Sequence, residues 1–223
     1  DSVTLAGTTV PSWLSFNDST GALTGTPLNA HVGDHSVVIT ASDQNSGSTT
    51  QSFTITVANV NDAPTITSTA VTSATEDSAY SYTVTTSDVD SGDTVTLAGT
   101  TVPSWLSFNA STGALTGTPL NAHVGNHEVV ITATDESSSS VTQSFTIAVA
   151  NVNDAPTFTS TAVTSATEDS AYTYTVTTND VDSGDIVTLA GTTVPSWLSF
   201  NASTGALTGT PLNAHVGNHE VVI

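Results

Sequence analysis

The sequence contains no lysine and no arginine. That argues against nucleic acid as a direct partner, because phosphates are bound by facing cations. It argues equally against anchoring to an anionic membrane surface. With 20 Asp plus Glu the net charge is −20, and histidine is the only side chain able to balance a carboxylate. Metal cations or concentrated salt are therefore the expected counter-ions. Cysteine is absent as well, so no disulfide staples the fold, and core packing or bound metal must supply stability. Helical periodicity of useful length is missing. So are a strand–turn–helix nucleophile and a Gly-rich oxyanion loop, which leaves no basis for an enzyme although Ser, His and Asp are plentiful. What the chain does have is 37% hydrophobic residues in a regular alternation, which argues against disorder.

That alternation recurs. Trp13, Trp105 and Trp197 stand in one phrase, Val-Pro-Ser-Trp-Leu-Ser-Phe-Asn, at spacings of 105 − 13 = 92 and 197 − 105 = 92. Residues 93–131 and 185–223 differ only at Thr94 and Ile186. A period of this length means tandem domains rather than a solenoid. The expected domains are a first repeat over 1–60 without its opening strands, a complete second repeat over 61–152, and a third over 153–223 without its close. The chain reads as a window on a longer array. A targeting signal, anchor or secretion signal could then lie outside it, so that its absence here carries little weight. Near-copies in line suit the spanning of distance, or the repeated presentation of one weak site, better than catalysis.

The second repeat carries period-two patterns rich in Thr, Val and Tyr, which favour half-buried strands. Strands are expected at 65–72, 79–86, 94–98, 105–108, 114–117, 127–134 and 142–150. Turn chemistry separates them at Ser91-Gly92, Gly99, Pro103, Ser111-Thr112-Gly113 and Val124-Gly125-Asn126. Seven short strands in about 90 residues predict an all-β chain of tandem immunoglobulin-like Greek-key sandwiches. The expected core is Trp105, Leu106, Phe108, Ile131, Phe145 and Ile147. If successive strands run antiparallel, the acids collect at the poles. Asp62, Asp88, Asp90, Asp93, Asp135 and Glu136 share one pole, and Glu76 and Asp77 the other. Only Glu128 of this repeat falls within a strand. Hard cations held by oxygen ligands would relieve such clusters, and Ca²⁺ accepts six to eight ligands in flexible geometry.

Several motifs resemble the cadherin superfamily. Ala-Asn-Val-Asn-Asp-Ala-Pro (58–64 and 150–156) is similar to the inter-domain linker, Asp88-Val89-Asp90-Ser91-Gly92 to the Asp-x-Asp calcium motif, and Ala133-Thr134-Asp135 to the Ala-Thr-Asp that follows. Pro103-Ser104-Trp105-Leu106-Ser107-Phe108, with Ser111-Thr112-Gly113 and Gly117-Thr118-Pro119, is closer to dystroglycan-type cadherin-like domains and to the Putative-Ig repeats of large bacterial surface proteins, adhesins among them. The resemblance implies Ca²⁺ between consecutive domains. Carried over by position, the first junction would use Asn59, Asn61 and Asp62 with Asp88, Asp90 and Asp135. The second would use Glu76, Asn151, Asn153 and Asp154 with Asp180 and Asp182. Three departures stand out. Asn59 and Asn151 replace the linker's first Asp, and the linker is one Asn shorter before Ala-Pro. Leu120-Asn121-Ala122-His123 stands where the family has Leu-Asp-Arg-Glu, which removes two carboxylates. Fewer ligand charges imply fewer ions or weaker binding.

Other features have ordinary readings. His31/His35, His123/His127 and His215/His219 have the spacing of a helical zinc pair, but an intervening glycine makes a solvated loop the expectation. The tryptophans are expected in the core rather than as sugar-stacking platforms. Asn17-Asp18-Ser19, Asn109-Ala110-Ser111 and Asn201-Ala202-Ser203 match a glycosylation sequon, yet they are also plain turn chemistry. The sequence therefore predicts a stalk or fibre segment of a secreted, cell-surface protein, stiffened by Ca²⁺ and supporting adhesion. Its partners would be the adjacent repeats, with like chains or surface glycans as further candidates. The alternative is a multivalent module binding carbohydrate or its own kind.

Overall fold

The structure is a computed structural model, and it describes residues 2–223. All its regular elements are strands, apart from three short 3-10 turns. The first repeat contributes β1 (Thr4–Thr9), β2 (Leu14–Asn17), β3 (Ala22–Gly25), β4 (Gly33–Ser42) and β5 (Ser48–Val57). The second contributes β6 (Thr65–Ile66), β7 (Ser73–Thr75), β8 (Tyr80–Thr83), β9 (Thr86–Ser87), β10 (Thr96–Thr101), β11 (Leu106–Asn109), β12 (Ala114–Gly117), β13 (Gly125–Thr134) and β14 (Ser140–Ala150). The third contributes β15 (Thr157–Phe158), β16 (Tyr172–Thr175), β17 (Thr178–Asn179), β18 (Leu198–Asn201) and β19 (Ala206–Gly209). Among the described residues no helix is long and apolar enough to cross a membrane.

Two compact units divide the chain. One joins the stretch ending at Thr72 to Ser81–Thr116 and Glu128–Thr146; the other joins Ser73–Tyr80 and Gly117–His127 to Ile147–Ile223. The first unit holds the antiparallel sheet β1-β4-β5 and the pairing of β10 with β13, in register from Thr96↔Thr134 to Gly99↔Ile131. The second holds β16-β19-β18 and a parallel pairing of β7 with β14, Ala148↔Ser73 to Ala150↔Thr75. Alternation decides which side chains go inside. Along β8 Tyr80 and Tyr82 are buried and Ser81 and Thr83 exposed; along β13 Val129, Ile131 and Ala133 are fully buried. The core of the first unit is built from these three with Val37, Tyr82, Val84, Trp105, Leu106 and Leu115. Tyr80, Ile147, Val149, Val176 and Leu207 are the buried apolar residues of the second.

The structure departs from the sequence reading in several places. Of the strand expected over 65–72 only β6 forms, since β7 begins at Ser73, and the strand expected over 79–86 splits into β8 and β9, so the second repeat has nine strands rather than seven. β6 pairs antiparallel with β9, whereas β7 runs parallel to β14, so the chain changes partners between them. Side chains hold the gap. Ser68 Oγ lies 2.7 Å from Tyr82 Oη, Tyr82 donates to Gln143 Oε1 at 2.7 Å, and Gln143 Nε2 donates to the Ser68 carbonyl at 3.0 Å. Serine and glutamine satisfy backbone that a ladder would otherwise pair. Phe108 and Phe145 are half-buried rather than buried, as are Trp13 and Trp197, while Trp105 is 8% exposed. The histidines of the first two repeats do not lie in a solvated loop, whereas His219 of the third is exposed and outside any strand. His31 and His123 close 3-10 turns, His35 and His127 lie in β4 and β13, and all four are half-buried.

Candidate metal centre

The acid cluster of the first unit forms where the linker after β5 meets two loops of the second repeat. The loop after β9 is curled by its own acids. The Asp90 amide donates to Asp88 Oδ1 at 3.0 Å, and the Asp93 amide to the Asp90 carbonyl at 3.3 Å. Gly92 makes the return possible, with a φ of +100° that side chains rarely adopt. The linker docks on this loop through the Asp62 amide, which donates to Asp90 Oδ2 at 2.6 Å. Asn61 reaches the β13–β14 loop, where its Nδ2 donates to Asp135 Oδ2 at 2.9 Å and Ser139 Oγ at 3.0 Å. Asp135 is held on its other side by the Ser139 amide at 2.8 Å.

The outcome is a knot of carboxylates around little but amides. Asp88, Asp93 and Asp135 bring one oxygen each to within 4.8 Å of one another. Asp90 is 4% exposed and Asp135 5% exposed. Asp88 Oδ2 and Asp90 Oδ1 are buried without a hydrogen-bond partner. The side-chain amide of Asn61 holds the Asp135 carboxyl below its ordinary range against the opposing effect of burial, with help from the backbone of Ser139, Ser137 and Ser138. Asp93 moves the other way. Burial raises it first, and the charges of Asp88, Asp90, Glu136 and Asp135 raise it further. One member of the cluster therefore carries the repulsion of the rest.

A second cluster in the second unit repeats this construction. The Asp154 amide donates to Asp182 Oδ2 at 2.6 Å and the Asp182 amide to Asp180 Oδ1 at 3.0 Å. Asp180, Asp182 and Asp185 share the same close spacing of oxygens, within 4.8 Å. The Asp182 carboxyl is lowered by the Asp154 amide above all, opposed by burial and assisted by Asn151 and Asn121. Glu76 is 2% exposed and accepts the Val152 amide at 3.2 Å, which ties the end of β7 to the linker after β14.

Of the twelve positions suggested by the sequence, Asn61, Asp62, Asp88, Asp90 and Asp135 converge in the first cluster, and Asn151, Asp154, Asp180 and Asp182 in the second. Glu76 anchors the linker from one side. Asn59 is exposed, and Asn153 is exposed with its side chain turned onto the Asp154 carbonyl at 2.9 Å. Asp93, placed at this pole but left out of the ligand set, joins the first cluster, and Asp185, which was not singled out, joins the second; they follow Asp88 and Asp180 by five residues. The glycine before each was the signal, since a positive φ there folds the next residue back. Also missed were Asn29, which donates to Asp62 Oδ2 at 2.6 Å, and Asn121, which donates to Asp182 Oδ1 at 2.9 Å.

The donor set fits a hard cation. Every side chain in the two clusters offers oxygen, and buried carboxylate oxygens without partners need positive charge that the chain cannot supply from Lys or Arg. Oxygen-only donors of this kind suit Ca²⁺ rather than the softer transition metals. The histidines do not compete for the role. His31 Nδ1 and His123 Nδ1 each accept a backbone amide at 2.9 Å, and His35 Nε2 and His127 Nε2 bond the carbonyls of His31 and His123 at 2.6 Å.

The chain is a tandem array of all-β repeats with an acid cluster in each unit. The chain belongs to the Putative Ig domain family, whose pattern matches residues 1–58, 63–150 and 155–223. It is 34% identical over 146 residues to the "Serine-rich adhesin for platelets" of Staphylococcus aureus, a match that covers 63% of this chain and 6% of the adhesin. The strain MRSA252 protein of the same name is likewise 34% identical over 146 residues, or 63% of this chain and 10% of that protein. The match therefore spans a small part of these relatives. Among solved structures, Protocadherin Gamma B2 extracellular cadherin domains 1-5 superpose with a TM-score of 0.58 at 19% identity, covering 94% of this chain and 46% of that one. Mouse Cadherin-23 EC22-24 gives 0.57 at 20% identity, covering 94% and 76%. At such identities the likeness is one of fold. The adhesin homologue marks the chain as part of a cell-surface, extracellular protein.

Proposed function

We propose that this chain is a spacer segment of an adhesion-related surface protein, stiffened by Ca²⁺ at its repeat junctions. The repeats are 1–60, 61–152 and 153–223, and each junction joins a linker to the acidic loops of the following repeat. The observation that carries this reading is the buried Asp90, whose Oδ1 has no hydrogen-bond partner in a chain without a single Lys or Arg. Asp88, Asp90, Asp93 and Asp135 would hold the ion at the first junction with Asp62, and Asp180, Asp182 and Asp185 at the second with Asp154. When bound, Ca²⁺ supplies the charge that lets these carboxylates stay ionised together. Linker and loop are then drawn to one centre, which restricts the hinge. The likeness to staphylococcal adhesins supports a surface role in adhesion. The stalk presents or spaces other parts of the protein and carries out no catalysis.

Calorimetric titration of the 223-residue chain with CaCl₂, together with small-angle scattering in Ca²⁺ and in chelator, tests this. Saturable binding and a stiffer particle in Ca²⁺ are expected. No binding heat together with identical scattering curves would overturn the proposal.

A further inference from the structure

The hairpins β2–β3, β11–β12 and β18–β19 turn through Asn17-Asp18-Ser19-Thr20-Gly21, Asn109-Ala110-Ser111-Thr112-Gly113 and Asn201-Ala202-Ser203-Thr204-Gly205. None of these residues belongs to the acid clusters. The fold accounts for most of each turn. Asn17 Oδ1 accepts the amides of Ser19 and Thr20 at 3.0 and 3.1 Å, and the Asn17 carbonyl accepts the Gly21 amide at 2.8 Å. Asn109 and Asn201 repeat this, each Oδ1 accepting its two amides at 3.0 and 3.2 Å. Thr20, Thr112 and Thr204 accept the amide two residues on at 3.4 Å. Such a turn asks only for an acceptor oxygen on its first side chain, and Asp would serve as well as Asn.

Two groups in each turn have no work in the fold. One is the asparagine Nδ2, and the other is the hydroxyl of Ser19, Ser111 or Ser203. Neither makes a hydrogen bond among the described residues, and both residues are exposed in all three turns. With Oδ1 pinned to backbone amides, Nδ2 is left to solvent. These are the two groups that an Asn-x-Ser glycosyl acceptor requires. The residue between them is free in that pattern, proline excepted, and it is the one that differs here, Asp18 against Ala110 and Ala202. The asparagine is also the last residue of β2, β11 and β18, each at an edge of its sheet. Exposed edges are usually blunted by charge, Lys above all, or by Pro. Leu-Ser-Phe-Asn has neither, and the chain has no Lys at all. A bulky polar group at the end of the strand would close that edge to a second copy.

We propose that Nδ2 of Asn17, Asn109 and Asn201 is a glycosyl acceptor, so that each repeat carries an N-linked sugar at this hairpin turn. The donor is an activated sugar of the glycosyl diphosphate class, nucleotide- or lipid-linked, delivered by a separate transferase. The bond formed joins the anomeric carbon of the sugar to Nδ2. The bond broken joins that carbon to a diphosphate oxygen, which leaves with the electron pair, and one Nδ2 proton passes to the transferase. The serine hydroxyl is the mark the transferase reads. The modification stands whether or not the junctions hold Ca²⁺.

The test is made on the protein taken from the surface of the cells that produce it. Chymotrypsin digests it, since there is no Lys or Arg for trypsin, and mass spectrometry with fragmentation locates any sugar. Glycan on the asparagine of the Asn-Asp-Ser and Asn-Ala-Ser peptides is expected. In the same cells Ser19→Ala should remove it from Asn17, and so should Asn17→Asp, which keeps the turn's acceptor oxygen. Ser19→Thr should retain it. In each variant the Asn-Ala-Ser peptides should keep their glycan, which separates a lost acceptor from a misfolded chain. Bare asparagines in the native protein would overturn the proposal, as would sugar found on the serines instead.

Discussion

At the scale of the residue, the tryptophan that marks each repeat does different work in different surroundings. Trp105 is 8% exposed, beside Leu106 at the same value. Trp105→Ala should destabilise the chain by about 3–5 kcal/mol, the range for loss of a large buried ring. Equilibrium denaturation reads this, and a change under about 1 kcal/mol would assign the ring to the surface instead. Asp93 gives a sharper test because its sign depends on the cation. Its folded-state pKa is raised, first by burial and then by the neighbouring acids. Between the ordinary carboxylate range and that raised value the folded chain holds more protons than the unfolded one, so stability falls as pH rises through the window. Asp135 is lowered and behaves oppositely, lending stability that is lost as pH falls. In calcium-free buffer Asp93→Asn should therefore melt higher than wild type at neutral pH, with the gain vanishing below the carboxylate range. With Ca²⁺ present the same variant should bind more weakly. A variant that melts lower at neutral pH without Ca²⁺ would contradict the electrostatic account.

Among the elements, the loop after β9 matters most. It gathers Asp88, Asp90 and Asp93 through its own hydrogen bonds and the positive φ of Gly92. The double change Asp88→Ala and Asp90→Ala should abolish the first junction's cation. The second should keep its own, because it draws on Asp180, Asp182 and Asp185. Calorimetric stoichiometry should then fall by one junction's share and no more; loss of all binding would mean that the two sites are not independent. Much of this loop could be read beforehand, since Asp-x-Asp followed by Ser-Gly is turn chemistry with an obvious charge problem. Asp93 could be placed at the same pole, but its approach to within 4.8 Å of Asp88 and Asp135 depends on the backbone angle at Gly92. The strand over 65–72 failed for a different reason. Alternation continues through Thr67 and Ser68, but Gln143 takes the Ser68 carbonyl and Tyr82 the Ser68 hydroxyl, in place of a strand partner.

For the whole molecule, a charge of −20 without one Lys or Arg is the governing fact. Self-repulsion of that size opposes the folded state and is relieved by screening or by bound cations. The calcium-free chain should melt at higher temperature as NaCl is raised, whereas the calcium-loaded chain should melt higher still and depend less on salt. Differential scanning calorimetry across a NaCl series checks both. A salt-independent melting temperature without Ca²⁺ would show that the acids are too well solvated to matter.

What the sequence determined by itself was everything that period and charge can carry. Period-two alternation in β8, β13 and β14 decided which side chains go inside, because a strand has only two faces. The 92-residue repeat decided that one construction is used again. The lack of cationic side chains decided that no Lys or Arg pairs with the acids. Tertiary structure alone decided which polar groups meet. Asn29 and Asp62 are 33 residues apart and Asn121 and Asp182 are 61 apart. Pro-Leu-Asn-Ala-His looks like an ordinary turn, and only the tertiary fold brings its asparagine to a carboxylate of the next repeat. A hydrogen bond between distant positions has no local signature. It depends on where two backbones have been placed, and that is the work of the packed core.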